Sequence, residues 1–454
     1  MPAQLLKRGL VVAAVLSITV VPAAAAPGDD PGSSGYQSDP ASPGYRNTPG
    51  KAGDPQPSAP RADGSLPIGD ADLTETRTDS ALAPGVTLTK IVRGTTPADP
   101  DEIETTTRGP WVVNAVTIDP ALAQGRVATT YGPDLARTEK TSQLVKSAGA
   151  VVGTNGSFFT FTSNPTYPGD PVGLALSDGQ LISEPTTSIS EMSLLIDANS
   201  NQMSVQKVRW TGQIKNRTTA ATLPLEFVNH PPVIPAACAD IVDQTTCTAA
   251  GDVVLFTPHF AAKTPSGHGV EVVFDRLGCV VRTSTTRGST ITVSQFALQA
   301  TGKDTNALLA LTANGGCVDR SHVLTNDQGT PITLHRGLYG VVGRYRLTQG
   351  GGIVVPPGSG SFFARNPRTI AGTTADGKIM LATIDGRQTT SVGTTLAETG
   401  AVADALGLTE SVNLDGGGST AMARTDGTLI NHPSGTNGAE RYVGDAVVYY
   451  PTRS

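Results

Sequence analysis

The residues best suited to chemistry lie close together near the C-terminus. The stretch Ser411-Val-Asn-Leu-Asp-Gly-Gly-Gly-Ser-Thr-Ala-Met422 ends a short apolar run in a carboxylate, Asp415. Gly416, Gly417 and Gly418 follow, then two hydroxyls, Ser419 and Thr420. Asn413 stands two residues before Asp415, so on an extended chain the two share a face. Consecutive glycines are entropically costly, and a packed domain places them where backbone must approach something closely or take a positive φ. An acid, an amide, bare N–H groups and hydroxyls so close together make a polar ligand site; a Gly-rich hairpin turn is the competing reading. Upstream, Asp385-Gly386-Arg387 adds a second acid and a guanidinium whose planar fork suits phosphate. Arg368, Glu398 and Arg441 are further charged candidates, and Asn155 closes the apolar run 150–155. Plain structural roles compete for each: a turn at Asp385-Gly386 and at Asn155-Gly156, a helix cap for Glu398, a brace for Arg441.

These groups need a scaffold. Residues 378–384 read as a strand running into Asp385. Residues 395–406 read as a helix, with Thr395 and Glu398 forming a capping box and Gly407 as a stop. Residues 411–414 read as the next strand. Strand, helix, strand makes a β-α-β unit if both strands share a sheet, and both carboxyl ends then lie at one edge, where such units bind ligands. Strand spacing would put Asp385 and Asp415 roughly 5 to 10 Å apart, the separation glycosidases use for paired carboxylates. Elsewhere Trp111–Ile118 reads as a strand, 138–148 as a helix stopped by Gly149, 173–360 as a succession of short antiparallel strands, and 444–450 as the final strand. The expected class is α+β: β-rich mixed sheets with a few packed helices, including the C-terminal β-α-β unit.

Composition sets bounds. The chain has 454 residues, a net charge of -6, only 16% charged residues, 51 Gly and 33 Pro. The acidic balance argues against a nucleic-acid partner. Lys7 and Arg8, the apolar run 9–21 and the small residues Ala24, Ala25 and Ala26 form a signal-peptide pattern over 1–26. No later run is long enough to span a bilayer, so the expectation is an exported protein, extracellular or held at the cell envelope, with no stable membrane insertion after cleavage. Residues 27–83, rich in Pro, Gly and Ser, read as a disordered linker, and 84–454 as the folded domain. Cys238, Cys247, Cys279 and Cys317 read as two disulfides, for which sequential pairing is the simplest of three connectivities. The histidines are scattered and no metal-ligand spacing occurs; no cofactor is required, and a divalent cation beside Asp415 is left open.

The series Gly153-Thr-Asn-Gly-Ser-Phe-Phe159, Asn366-Pro-Arg-Thr369, Asp385-Gly-Arg387, Leu396-Ala-Glu398, Asn413-Leu-Asp-Gly-Gly-Gly-Ser-Thr420 and Glu440-Arg-Tyr-Val443 resembles the phosphodiester glycosidase family, that of the N-acetylglucosamine-1-phosphodiester α-N-acetylglucosaminidases. The likeness runs from about residue 111 to 450. It is dense after 366 and thin over 210–345, where the cysteine-bearing, β-rich middle looks like this chain's own elaboration. Ser157 stands where the family usually has a second Gly, and Tyr442 where it has a Pro.

The resemblance implies hydrolysis of a sugar-1-phosphodiester at the anomeric carbon, releasing free sugar and a phosphomonoester, on cell-envelope or extracellular glycans. It implies Asp415 as the central carboxylate and Glu398 or Asp385 as second acid/base. Arg368, Arg387 and Arg441 would bind phosphate or the rest of the substrate, Asn155, Asn413, Ser419 and Thr420 would meet sugar hydroxyls or phosphate oxygens, and Gly416 to Gly418 would let the substrate close in. A phosphate monoester has a second pKa of about 6, so protonating this leaving group matters less than in an ordinary glycoside. The alternative is a non-catalytic module that binds cell-wall glycan through the same polar cleft.

Overall fold

A computed structural model describes residues 55–161 and 163–451. The expected signal segment and the first part of the expected linker lie outside these residues.

The architecture turns on one antiparallel eight-stranded sheet. Its strands run in the order Glu75–Ala83, Val86–Arg93, Trp111–Ile118, Ile379–Ile384, Arg368–Thr374, Leu408–Asn413, Arg346–Gln349 and Gly352–Ile353. The central strands are covered on both faces, so apolar residues fill both sides of the pleat, with polar residues such as Asn114, Arg368 and Asn413 buried among them. On one face Trp111, Val113, Ile370 and Ile384 pack with Leu396 and Val402 of helix α3 (Leu396–Ala405). On the other, Val116, Ala371, Leu381 and Val412 meet Val127, Val152, Met422 and Val447 from a four-stranded sheet. That sheet orders Met422–Arg424, Val152–Asn155, Asp445–Pro451 and Gly125–Tyr131, with helix α1 (Thr141–Ala148) against it. Gly149 ends α1 in the left-handed region, as the sequence suggested. The fold is α+β, and the two strands flanking α3 are parallel to one another. They are not neighbours, however: Arg368–Thr374 lies between them, antiparallel to both.

The expectation of disorder up to residue 83 is corrected. Leu66 and Ile68 are fully buried beside Trp111, and Glu75–Ala83 pairs along its length with Val86–Arg93. The fully buried Arg93 donates to the carbonyls of Ile68 (2.8 Å), Asp70 (2.8 Å) and Leu73 (3.4 Å) and lies 3.6 Å from Glu75. The strand 75–83 is mostly exposed, so ladder hydrogen bonds and one buried guanidinium hold a segment whose composition offers few apolar contacts.

The middle of the chain forms a three-stranded sheet (Thr222–Leu225, Val208–Asn216, Val318–Asn326) and a five-stranded sheet spanning 227–302, with helix α2 (Asp304–Leu311) packed between. Their apolar core continues into the body through Leu174, Leu176 and Leu195. An ion pair, His230 Nδ1 to Asp170 Oδ2 at 2.7 Å, joins the same two parts. The sequential disulfides Cys238–Cys247 and Cys279–Cys317 both form here. They close loops with sequence separations of 9 and 38 residues. Replacing each pair by Ala is therefore expected to cost about 3 kcal/mol for the first and about 4 for the second on a chain-entropy basis. Urea denaturation checks the order; a larger loss at Cys238–Cys247 would refute it.

Candidate active site

The carboxyl ends of Ile379–Ile384 and Leu408–Asn413, the start of Arg368–Thr374 and the start of Arg346–Gln349 all lie at one edge of the main sheet. Asp385 and Asp415 sit there, as the β-α-β reading requires.

Asp415 is fixed through its backbone. Its N–H donates to Gly156 O (3.1 Å), its carbonyl accepts from Asn155 Nδ2 (2.6 Å), and its Oδ1 accepts from the N–H of Gly416 (2.9 Å). The side chain of Asn155 also accepts from Thr369 Oγ1 (2.8 Å) and the Ala421 N–H (3.2 Å). Asn155 thus ties three segments together and positions Asp415 through bonds made within the fold. Thr420 joins the same group, its Oγ1 3.4 Å from Thr369.

The glycines have a specific purpose. A Cβ on Gly418 would lie 2.6 Å from Arg441 Nη2, and one on Gly417 would lie 3.0 Å from Arg387 Nη2. Gly417 also has φ +59°, in the region Gly tolerates best. Two guanidinium groups therefore press against the turn that follows Asp415, where only hydrogen leaves room. Arg387 is held by Asn366 Oδ1 (2.8 Å). Arg441 stacks over Phe161 at 4.6 Å, and its neighbour Glu440 grips the first turn of α1 through the Ser142 N–H (2.7 Å) and Oγ (2.6 Å). The buried Ser419 hydroxyl has no hydrogen-bond partner among the described residues, which suits a group awaiting a ligand.

Asp385 is tied to this loop through Asn431, which donates to Asp385 Oδ1 (3.1 Å) and to Thr420 O (3.2 Å); the His432 N–H donates to Oδ2 (3.1 Å). Burial pushes the Asp385 carboxyl up to about 6, against the lowering effect of those donors. Asn413 donates to Arg344 O (2.6 Å), and the Arg344 guanidinium lies 5.1 Å over Phe158.

Two expected site residues take other roles. Glu398 caps α3, accepting from the Thr395 N–H (2.9 Å), and pairs with Arg365 at 3.2 Å, both side chains being about 1% exposed. Arg365 in turn donates to Thr106 O (2.6 Å) and lies over Trp111. In the structure that carboxylate caps a helix and pairs with a buried guanidinium. Glu398→Ala is expected to lose about 3–5 kcal/mol by stranding a buried guanidinium, read by urea denaturation; a wild-type midpoint would refute the structural role. Arg368, expected at phosphate, donates to the carbonyls of Phe362 (2.7 Å), Ala364 (2.8 Å) and Thr394 (3.2 Å) and so shapes the loop carrying Arg365 and Asn366. Sequence reasoning missed Asp445, Arg344, Asn366 and Asn431. Two of them left a signal: Asn366 opens the motif Asn366-Pro-Arg-Thr369, and Asp445 is an acid opening the apolar strand Asp445–Pro451. Among the described residues no group of three or more His, Cys, Asp or Glu is arranged to hold a metal ion.

Residues 268–450 match the phosphodiester glycosidase family model. The match takes in Arg344, Asp385, Arg387, the 413–420 stretch, Arg441 and Asp445; Asn155 to Phe158 come from outside it. The phosphodiester glycosidase match points to a hydrolase acting on glycosidic bonds. Among solved structures, a presumed exported protein of Burkholderia pseudomallei K96243 aligns with 25% identity and a TM-score of 0.71, over 85% of this chain and 98% of that one. A hypothetical protein from Synechocystis aligns with 16% identity and a TM-score of 0.61, over 83% and 68%, and shares the fold. The zebrafish N-acetylglucosamine-1-phosphodiester alpha-N-acetylglucosaminidase catalytic domain, auto-inhibited by pro-peptide, aligns with 12% identity and a TM-score of 0.39, over 91% and 99%, a likeness too slight to support a conclusion. No curated protein matches the chain. No helix among the described residues is long and apolar enough to cross a membrane.

Proposed function

We propose that this chain is an exported phosphodiester glycosidase that cleaves a sugar-1-phosphodiester, of the N-acetylglucosamine-1-phosphodiester kind, at the anomeric carbon. The observation carrying this reading is the placement of Arg387 and Arg441 against Gly417 and Gly418, immediately after Asp415. It sets two planar cations against the turn that follows this carboxylate, an arrangement suited to a sugar phosphate. Asp415 would face the sugar and stabilise the oxocarbenium-like transition state or attack it. Arg387 and Arg441 would take the charge on the departing phosphate, and the Ser419 hydroxyl would bind a substrate oxygen. The leaving phosphomonoester is a weak base, so a strong acid opposite Asp415 is not demanded.

Export is supported by the two disulfides, which persist in oxidising compartments, and by the presumed export of the Burkholderia pseudomallei relative. Cell-envelope or extracellular glycans carrying sugar phosphodiesters are the substrate class that follows.

The test is incubation of the purified chain with an N-acetylglucosamine-1-phosphodiester and an assay for released N-acetylglucosamine and phosphomonoester. Stoichiometric release is expected. Saturable binding without release would overturn the catalytic reading in favour of a recognition module.

A further inference from the structure

We infer that the β-rich middle of the chain acts on the candidate site: His230 and Phe260 hold the stretch that carries Phe161, and Phe161 holds Arg441 against the turn after Asp415. His230 is thus a positioning residue for a phosphate-binding guanidinium. This rests on the reading of Arg441 as a phosphate ligand.

The route is a run of direct contacts. His230 Nδ1 lies 2.7 Å from Oδ2 of the fully buried Asp170. The Phe260 ring, also fully buried, packs on Tyr167 at 5.1 Å between centroids. The same turn of the middle segment takes backbone bonds from a neighbouring loop: His259 O accepts from the Leu135 N–H (2.9 Å) and Phe260 O from the Ala136 N–H (3.1 Å). Ala136 O then accepts from the Gly169 N–H (3.4 Å). Asp170 and Tyr167 are tied in turn to Thr160 and Phe161. The Thr160 N–H donates to Asp170 O (2.9 Å), its hydroxyl to Tyr167 O (2.7 Å), and the Phe161 N–H to Pro168 O (2.9 Å). Phe161 has φ +36°, a region that a bulky residue takes only where its surroundings impose it. Its ring packs on Phe159 at 5.8 Å and lies 4.6 Å from the Arg441 guanidinium. The residues just after Arg441 meet the same stretch twice more. A Cβ on Gly444 would lie 2.7 Å from Gly169 O, and Asp445 Oδ1 accepts from the Ser157 N–H (2.6 Å).

An arginine has many rotamers, and an aromatic face beneath its guanidinium helps to select one. The selected one here sets Arg441 against Gly418. Shifting a substrate-positioning group by about 1 Å from afar can cost on the order of 10^2-fold in rate, so the angle at which Phe161 is held matters to the phosphate. The far end of the route is a charged clasp. Phe227 packs on His230 at 5.1 Å, and the acids around the imidazole are Asp170, Glu184 and Asp252. Burial alone would lower His230, but these acids push it up to about 9, so the imidazolium persists at neutral pH. Removing it leaves a buried carboxylate without its cation, and the stretch ending at Asp170 loses its anchor. The middle segment thus supplies a rigid backing for one side of the site.

The experiment follows the Arg441 guanidinium by proton–nitrogen NMR in the full-length chain, with Arg441→Lys identifying its Nε signal. It compares wild type, Phe161→Leu, His230→Gln, Tyr167→Leu and the His230→Gln/Phe161→Leu double variant, each also titrated with inorganic phosphate and assayed for kcat/KM. A group over an aromatic ring carries that ring's current, so Phe161→Leu marks the position of a released guanidinium. His230→Gln and Tyr167→Leu should each move the signal toward that position. Each should also weaken phosphate binding by roughly 5-fold or more, the scale of one cation–π contact, and kcat/KM should fall with it. The double variant should be no weaker than Phe161→Leu alone. An Arg441 signal unmoved in His230→Gln and Tyr167→Leu overturns the coupling. A moved signal with fully multiplicative losses in the double variant overturns the route through Phe161. If His230→Gln does not fold, Tyr167→Leu decides by itself. The NMR arm needs no substrate: a wild type that neither binds phosphate nor releases sugar would count against the reading of Arg441, and the signal would still decide whether the middle segment holds it.

Discussion

Asp415→Asn is expected to lower kcat/KM for a sugar-1-phosphodiester by roughly 10^3-fold or more, the scale on which positioned acid/base groups act, with the urea midpoint little changed. The geometry separates the two effects. What fixes Asp415 is its backbone, through Gly156 and Asn155, and neither contact requires the carboxylate charge. The amide oxygen of Asn can still accept from the Gly416 N–H, as Oδ1 does at 2.9 Å. Shape survives and charge does not, so the loss should appear in kcat. Steady-state hydrolysis and urea denaturation on the same preparation provide the check. A folded variant with wild-type turnover would remove Asp415 from the chemistry.

The second large effect is expected from the smallest possible change. Gly418→Ala adds one carbon 2.6 to 2.8 Å from Arg441 Nη2, Cζ and Nε, a distance that no packed Cβ sustains. The guanidinium has to leave its place over Phe161. Losing one oriented donor to developing charge costs on the order of 10^2-fold in rate, and weaker inhibition by inorganic phosphate should accompany it. If the substitution works only through Arg441, then Gly418→Ala combined with Arg441→Ala should be no worse than Arg441→Ala alone, because neighbours that share one interaction are not additive. Fully multiplicative losses would show that the glycine serves something else, such as direct approach of the substrate.

The sequence made the edge of the main sheet legible, and with it the shared position of Asp385 and Asp415. Each follows a short apolar run, and one capped helix joins the runs. A strand over 366–372 could be read, but not its insertion between the two parallel ones, because that depends on pairings made across the whole sheet. Glu398 shows the limit from another side. The capping box could be read locally, but an acid that only caps is distinguished from one that reacts by its partner, Arg365, supplied by a loop 33 residues away. Arg387 and Arg441 were visible as cations, and the glycines as glycines; that each guanidinium rests on its own glycine is a statement about three loops at once. Asp445 stood out as an acid at the mouth of an apolar strand, yet its significance comes from a contact made across 288 residues. The ordered start of the domain was misjudged because a strand stabilised by backbone pairing and the buried Arg93 leaves no apolar pattern to read.

That arginine sets a practical limit on how the protein can be shortened. A truncation beginning at residue 84 would delete every carbonyl that receives Arg93 and strip Leu66 and Ile68 from the indole of Trp111. An ionised group would be stranded beneath a newly wetted aromatic surface, beside a bare strand edge open to intermolecular pairing. Recombinant boundaries should therefore begin before Leu66, and a soluble, cooperatively melting fragment starting at 84 would mean that this N-terminal clasp is dispensable.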